Sequence, residues 1–395
     1  MIQHDLTATR PDYAGNSIVN LMSSIGRRFD VDDDPELYVD CALLDDDTLR
    51  RAKRIALVVI DGLGDELLNH LDTTDLLKPH QVGTLTSVYP PTTASAVTTF
   101  MSGLAPQQHG LTGWFMHFRK LGAVTAVLPF MPRYARHPLG DQGIHLDRII
   151  DAPSFSSRIS ARSLMLQPAM LADSAFSRAL GMGSQREGYR SLDEFSDEVA
   201  RFCRGERDFE FLYAYWPELD TTAHLSGPSS TAVATHFDSL AQALAPLLDL
   251  AAQNDTLLLI TADHGFIDSG AQERIDIEDH PELESMLTLP LCGEPRTAYA
   301  YVRTHCTTAF EQYVTSELAY AAELYPSQQL IEENWFGPGI AHPELHARVG
   351  DFVLCMRDRY TLRDRVAGEH DMRLLGVHGG LSRAEQIVPL VASPH

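Results

Sequence analysis

Three segments of this chain read as buried strands that run out into an acid. RIALVVID, Arg54 to Asp61, is a near-continuous apolar run. DFEFLYAYWPELD, Asp208 to Asp220, and TLLLITADHG, Thr256 to Gly265, repeat the design, and ISARSLMLQP, Ile159 to Pro168, is a weaker fourth copy. Strands apolar throughout are covered on both faces, which is the situation of a parallel sheet between helical layers. Helical patterns separate them, over Leu63–Leu71, Thr93–Ser102, Ser191–Cys203 and Ser229–Ala252. The alternation predicts an α/β fold with a central, mostly parallel sheet flanked by helices. Ligands in such folds sit beyond the carboxyl ends of the strands, where the three acids fall.

A length of 395 residues suits two domains, or one large domain with an inserted lobe. The texture changes between about Asp268 and Asp371. TAYAYVR (Thr297 to Arg303), a helical stretch over Thr308–Leu324, and DFVLCMRD (Asp351 to Asp358) suggest a small α+β lobe there. The expected division is a catalytic domain from residues 1–267 and 372–395, with residues 268–371 as an inserted α+β cap.

Charge narrows the partners. The formal net charge is −23, so the surface repels nucleic-acid phosphates and polymeric nucleic acid is a poor partner. A small phosphorylated substrate stays compatible if bound cations reverse the sign locally. The acidic run from Asp30 to Pro35 reads as a solvated loop. Five scattered cysteines, with no C-x-x-C, read as reduced thiols. The N-terminal stretch lacks a charged start followed by an apolar run, and no apolar run reaches membrane-spanning length. The expectation is a cytoplasmic protein without a membrane partner. The sequence does not specify its oligomeric state.

Acids and histidines then pair up at the predicted loops. Asp61 ends the first strand. Asp220 precedes His224 by four residues in ELDTTAHLSGP, Asp263 and His264 are adjacent in TADHG, and His378 lies between residues of GVHGG. Taken singly, each has an ordinary reading as a helix cap, a turn or a polar surface group. Together, three carboxylates and three imidazoles suit Zn²⁺, with Mn²⁺ or Fe²⁺ as alternatives, better than Ca²⁺ or Mg²⁺. Six ligands are too many for one open tetrahedral site. Two metals roughly 4 Å apart would clamp the attacking and leaving oxygens of an in-line phosphoryl displacement. A nucleophile is available in VYPPTTASAV. Pro90 and Pro91 force an extended approach, and a helix begins near Thr92 or Thr93 with its N–H groups and dipole favouring an anion. A metal-bound threonine there would ionise and attack phosphorus. Read alone, Thr93 is an N-cap.

These pieces resemble the alkaline phosphatase superfamily and, within it, the type I phosphodiesterase/nucleotide pyrophosphatase group. The matching stretches are VVIDGLGDELL, YPPTTASAVTTFMSGLAPQQHGLTG, YWPELDTTAHLSGP, ITADHGF and GVHGGLS, in the family's order from Ile55 to Val391. The resemblance implies an alkaline-phosphatase-like fold and two metal ions, usually zinc. Asp61, Asp263, His264 and the oxygen of Thr93 would hold one. Asp220, His224 and His378 would hold the other. Thr93 matches the nucleophile, with Thr92 and Ser95 as fallbacks. The implied reaction runs through a covalent phosphothreonine species that is then hydrolysed. Residues 268–371 would be the group's cap.

The chain departs from the group at LTGWFMHF, where nucleotide pyrophosphatases commonly place a phosphate-holding asparagine; Gly113 and Trp114 stand there instead. Trp114 and Phe115 are candidates for stacking on a base or lining an apolar pocket. No C-x-P-x-R is present, which disfavours sulfatases. Arg296 and Arg348 are candidates for a substrate anion, with a surface ion pair as the alternative. His342 and His346 have the spacing of a helical metal pair, which Pro343 between them disfavours. WFGPG, Trp335 to Gly339, reads as a rigid turn bordering the site. The leading function is a dinuclear-metal phosphohydrolase acting on a small-molecule phosphodiester or pyrophosphate. The alternatives are a phosphonoacetate-hydrolase-like phosphonatase and a non-catalytic, metal-stabilised binding protein.

Overall fold

A computed structural model describes residues 2–31, 38–135, 137–369 and 373–394. Most of the acidic run after Asp30 and the 371/372 domain boundary lie outside the described residues.

Among the described residues, the central sheet has seven strands. Their spatial order is Gln81–Thr86, Ile387–Ala392, Thr256–Thr261, Arg54–Ile60, Phe211–Trp216, Ser163–Pro168 and Ser184–Tyr189. Every pairing among the last five is parallel, and Ile387–Ala392 runs antiparallel to both of its neighbours. The three apolar runs form the middle of the sheet, and all of their strand residues are buried apart from Arg54 at an end. Helices cover both faces. The longest, Thr231–Ala252, starts at the Ser230 side-chain cap and buries one stripe of Val233, Phe237, Leu240, Leu244, Leu247 and Leu248. The edge strands Gln81–Thr86 and Ser184–Tyr189 are only partly buried, so they lack the apolar signature that marks the centre.

A second seven-stranded sheet lies apart from the first. Four of its strands come from the expected cap: Cys292–Glu294, Thr297–Ala300, Ala322–Pro326 and Phe352–Met356. The other three, Phe115–Phe118, Ala123–Ala126 and Met131–Pro132, come from a stretch that the sequence assigned to the catalytic domain. Phe115 pairs with Gly293 and joins the two groups. The helix expected over Thr308–Leu324 spans Thr307–Glu317, and Leu324 lies in a strand. That strand pairs antiparallel with Phe352–Met356, so sheet pairing overrides local helical pattern there. All five cysteines are free thiols. Among the described residues, no helix is long and apolar enough to cross a membrane.

Candidate active site

The carboxyl ends of the middle strands meet the start of one helix. Asp61 directly follows Arg54–Ile60, and Asp263 follows Thr256–Thr261 by two residues. Asp220 does not end a strand as its sequence context suggested. The strand stops at Trp216, Pro217 intervenes, and Asp220 sits in the first turn of the helix Glu218–Ser226. His224 lies one helical turn further on, which places both side chains on one face. His378 arrives with the short strand Gly376–Val377, which pairs with Ile267–Asp268 just past His264.

All seven residues proposed from sequence converge. His264 Nε2 is 3.3 Å from Asp61 Oδ1, 3.4 Å from Asp263 Oδ2 and 3.2 Å from Thr93 Oγ1. His224 Nε2 is 3.4 Å from Asp220 Oδ1 and 3.2 Å from His378 Nε2, and the last is 3.8 Å from Asp220 Oδ1. The two sets adjoin, because the rings of His264 and His378 stack with centroids 3.7 Å apart. Phe266 packs edge-on against His224, His264 and His378. Gly62, at φ +77°, leaves room for that ring, since a Cβ there would lie 2.5 Å from it.

Hydrogen bonding tells which way each group faces. The Nδ1 atoms of His224, His264 and His378 each meet a backbone carbonyl, of Gly376, Gly265 and Pro91, at 2.9, 3.1 and 3.3 Å. A carbonyl only accepts, so each Nδ1 carries the proton and each Nε2 presents a lone pair to the cluster. The acids are oriented likewise. Asp263 Oδ1 accepts the N–H groups of Gly62 and His264, and Asp61 Oδ2 accepts the Tyr215 hydroxyl. Asp61 Oδ1, Asp220 Oδ1 and Asp263 Oδ2 are buried without a hydrogen-bond partner among the described residues. Burial, and after it the charges of Asp220 and Asp263, hold Asp61 well above the ordinary carboxylate range. Burial likewise raises Asp220, and burial followed by the neighbouring imidazoles holds His378 well below the usual range. Acceptor atoms converge here without donors to match, and such buried groups are costly unless a cation sits among them. Two groups, Asp61–Asp263–His264 and Asp220–His264–His378, have ligand atoms all within 4.8 Å of one another. The donor set therefore fits divalent metals with mixed nitrogen and oxygen preference.

Thr93 is the first residue of the helix Thr93–Ser102, and the N-cap is Thr92 rather than Thr93. Thr92 makes no capping bond; its hydroxyl donates instead to Glu294 Oε1 at 2.6 Å. The helix start therefore keeps N–H groups uncapped by a side chain beside the cluster, where an anion is favoured. Ser95 is fully buried, and its hydroxyl has no hydrogen-bond partner among the described residues. Of the three candidate hydroxyls, Thr93 is the one bonded into the cluster.

A cavity of about 340 Å³ opens from Thr93, Asp220, His224 and His378. Trp114 and Phe115 line it, as do Leu291, Ala298 and Val377. Sequence reasoning missed three residues here. Tyr215 holds Asp61. Arg133 lies over the Phe115 ring at 4.2 Å and pairs with Glu369. Glu294 faces the cavity beside Thr92 and Thr93, and burial chiefly, with Asp220 adding to it, raises its carboxyl to about 7 against the opposing bonds from Thr92 and Trp114. Tyr215 sits in an alternating aromatic strand and reads as core, and Glu294 comes from a three-residue strand with no local signal.

The remaining candidates are structural. Arg348 is buried and donates to the carbonyls of Gly110 and Ile149 at 2.9 and 2.6 Å. His342 meets the Ile150 carbonyl, His346 is exposed, and the two form no metal pair. Trp335 packs on Tyr89 and does not line the cavity. Arg296 is buried, 1% exposed, and forks onto Glu385 with bonds of 3.1 and 2.9 Å. The bonds to Glu385 tie the second sheet to the segment that follows His378, and Arg296 also donates to the Tyr360 carbonyl at 2.7 Å. Arg296→Ala would leave Glu385 charged and uncompensated, so denaturant unfolding should show a loss of about 3–5 kcal/mol. A loss under about 1 kcal/mol would contradict this reading.

A family model described as type I phosphodiesterase / nucleotide pyrophosphatase matches residues 55–381. Among solved structures, murine ectonucleotide pyrophosphatase/phosphodiesterase 5 is similar at a TM-score of 0.65 and 17% identity, covering 86% of this chain and 87% of its own. The same protein is known as an inactive threonine-to-alanine variant in complex with AMP, with a TM-score of 0.64 at 17% identity. Phosphonoacetate hydrolase from Sinorhizobium meliloti 1021, in complex with phosphonoformate, aligns at a TM-score of 0.63 and 17% identity, covering 87% of this chain and 90% of its own. No curated relative matches by sequence. At these identities the likeness to the solved structures establishes the fold.

Proposed function

Because the chain belongs to the type I phosphodiesterase/nucleotide pyrophosphatase family, we propose that it is a two-metal hydrolase of a small phosphodiester or pyrophosphate, with Thr93 as nucleophile. One observation carries the reading. Acceptor atoms from Asp61, Asp263 and His264, and from Asp220, His224 and His378, converge beside the Thr93 hydroxyl at an uncapped helix start. The first three residues, with Thr93 Oγ1, would hold one metal and the second three the other; Zn²⁺ suits the set best. When bound, such cations supply positive charge that favours the ionised hydroxyl and neutralises the attacking and leaving oxygens.

The chain's own residues then do the positioning. The hydrogen bonds of Asp61 to Tyr215 and of Asp263 to Gly62 fix two carboxylates before substrate arrives. The start of the Thr93–Ser102 helix offers N–H groups to a phosphoryl oxygen. Thr93 Oγ1 forms a bond to phosphorus as the bond to the leaving oxygen breaks; the leaving alcohol or phosphate takes up the proton the hydroxyl gave up, and the phosphothreonine formed still carries the substrate's other arm. Water then splits the phosphothreonine and restores the hydroxyl. Trp114 and Phe115 would flank the substrate's organic part at the cavity wall.

Residues 1–267 and 372–395 would form the catalytic lobe, and residues 268–371 a cap whose sheet is completed by residues 115–132. Scattered free thiols suit a reducing cytoplasm. A phosphonate bearing a carboxylate next to phosphorus fits less well, since Glu294 would face that second anion. The test compares zinc-loaded protein on a chromogenic phosphodiester and the matching monoester. Diester turnover at least about tenfold above monoester turnover is expected. Monoester preference would replace the diesterase reading with a phosphomonoesterase, and no turnover of either would leave the phosphonatase and binding-protein alternatives.

A further inference from the structure

We propose that Glu294 forms an amine subsite beside Thr93, so that the preferred substrate carries a primary ammonium on the arm retained at phosphorus. The inference rests on reading this cavity as a phosphoester site.

Glu294 ends the strand Cys292–Glu294 and is only 8% exposed. It lines the cavity together with Thr92, Thr93, Asp220, His224 and His378. Both of its hydrogen bonds fall on one oxygen. Oε1 accepts the Thr92 hydroxyl at 2.6 Å and the Trp114 backbone N–H at 2.7 Å. These bonds set the plane of the carboxyl, and Oε2 has no hydrogen-bond partner among the described residues. The nearby guanidinium groups are engaged elsewhere. Arg133 pairs with Glu369 at 2.7 Å and Arg363 with Asp276 at 2.8 Å, although both line the cavity.

The backbone around Glu294 has been cleared to admit it. A Cβ on Gly379, next to His378, would lie 3.0 Å from the Glu294 Cβ. A Cβ on Gly113 would lie 2.8 Å from the Gly293 Cα, so the adjoining strand also approaches without side chains between. Gly379 thus leaves room for the Glu294 side chain, and Gly113 for the strand that carries it.

An acceptor is an odd neighbour for a phosphoryl group. A carboxylate repels it, and Oε2, open to the cavity, has no protein donor among the described residues to offset that repulsion. A protonated amine on the substrate resolves both at once, because it neutralises the repulsion and donates to Oε2. The donor must be an N–H, which favours a primary ammonium over a quaternary one. The apolar wall of Phe115, Leu291, Ala298, Leu374 and Val377 accommodates the rest of the molecule.

The test uses zinc-loaded protein with aminoethyl p-nitrophenyl phosphate and ethyl p-nitrophenyl phosphate. Wild type should favour the amino arm in kcat/KM by about tenfold, as one charge-assisted hydrogen bond would provide. Glu294→Gln keeps the Oε1 acceptor for Thr92 and Trp114, and the ratio should fall to near one. A ratio near one in wild type, or a ratio unchanged by the substitution, overturns the proposal. Calorimetric binding of aminoethylphosphonate against ethylphosphonate separates this from the reading of the reaction. A tenfold Kd difference present in wild type and lost in Glu294→Gln supports the subsite even if neither ester is hydrolysed, in which case the hydrolase reading falls alone. Equal Kd values in wild type overturn the subsite even if both esters are hydrolysed. Should Glu294→Gln fail to fold, wild type decides. An aminoethyl arm preferred about tenfold over its trimethylammonium counterpart supports an N–H contact, and equal rates overturn it.

Discussion

Thr93→Ala should reduce phosphodiester turnover by roughly a thousandfold or more while leaving the protein folded, since removing a nucleophile that acts as a unit with its activating groups costs that much or more. Thr93 Oγ1 is bonded to His264 and stands at the start of its helix, but it is not the N-cap. Its loss therefore removes no helix cap, and the melting temperature should stay within a few degrees. Thr93→Ser keeps an oxygen at the same place and should retain measurable turnover. Rapid quench of wild type followed by peptide mass spectrometry should find the phosphoryl group, still bearing the substrate's retained ester arm, on the peptide carrying Thr93. Turnover that survives Thr93→Ala at a similar rate would reject Thr93, and the same peptide experiment would then identify any other hydroxyl that carries phosphate. Absence of every phosphopeptide, with turnover intact, would point to direct attack by water.

Much of this site could be read before any coordinates because its parts are set by local rules. Asp61 and Asp263 follow apolar runs that could only be central strands, and the tips of central strands meet at one edge of the sheet. Asp220 and His224 needed only the spacing of a helix, even though the strand was read four residues too long. What escaped was decided by distant parts of the chain. Residues 115–132 join the second sheet because Phe115 pairs with Gly293, and a short strand gives no hint of its partner. Glu294 is one acid among 54 acidic residues, and only the fold brings it against Thr92 and Trp114. Arg296 and Arg348 looked available because arginine is usually exposed. Their burial depends on Glu385 and on backbone carbonyls from remote segments.

Removal of metal should have the second large effect, and it should reverse the sign of the effect of Asp61→Asn. Chelator-treated wild type is expected to melt roughly 10 °C or more below the zinc-loaded protein, because two tightly held ions bind the folded state alone. Zinc should return to two equivalents per chain in wild type. Asp61→Asn and Asp220→Asn remove carboxylates from different sets, so each variant should hold about one equivalent. The metal-free proteins should then rank in the opposite order. Asp61 Oδ1 is buried without a hydrogen-bond partner, and Asp220 and Asp263 lie close enough to repel it. An asparagine keeps an oxygen for the Tyr215 hydroxyl but removes the charge. Metal-free Asp61→Asn should therefore melt above metal-free wild type, while with zinc present it melts below. A structural hydrogen-bond role for Asp61 predicts a lower melting temperature in both conditions, so the crossing of the two orders is the result that distinguishes a carboxylate arranged to meet a cation from one that merely holds the strand end. Wild type that binds at most one equivalent, or melts unchanged without metal, would defeat the two-metal reading itself.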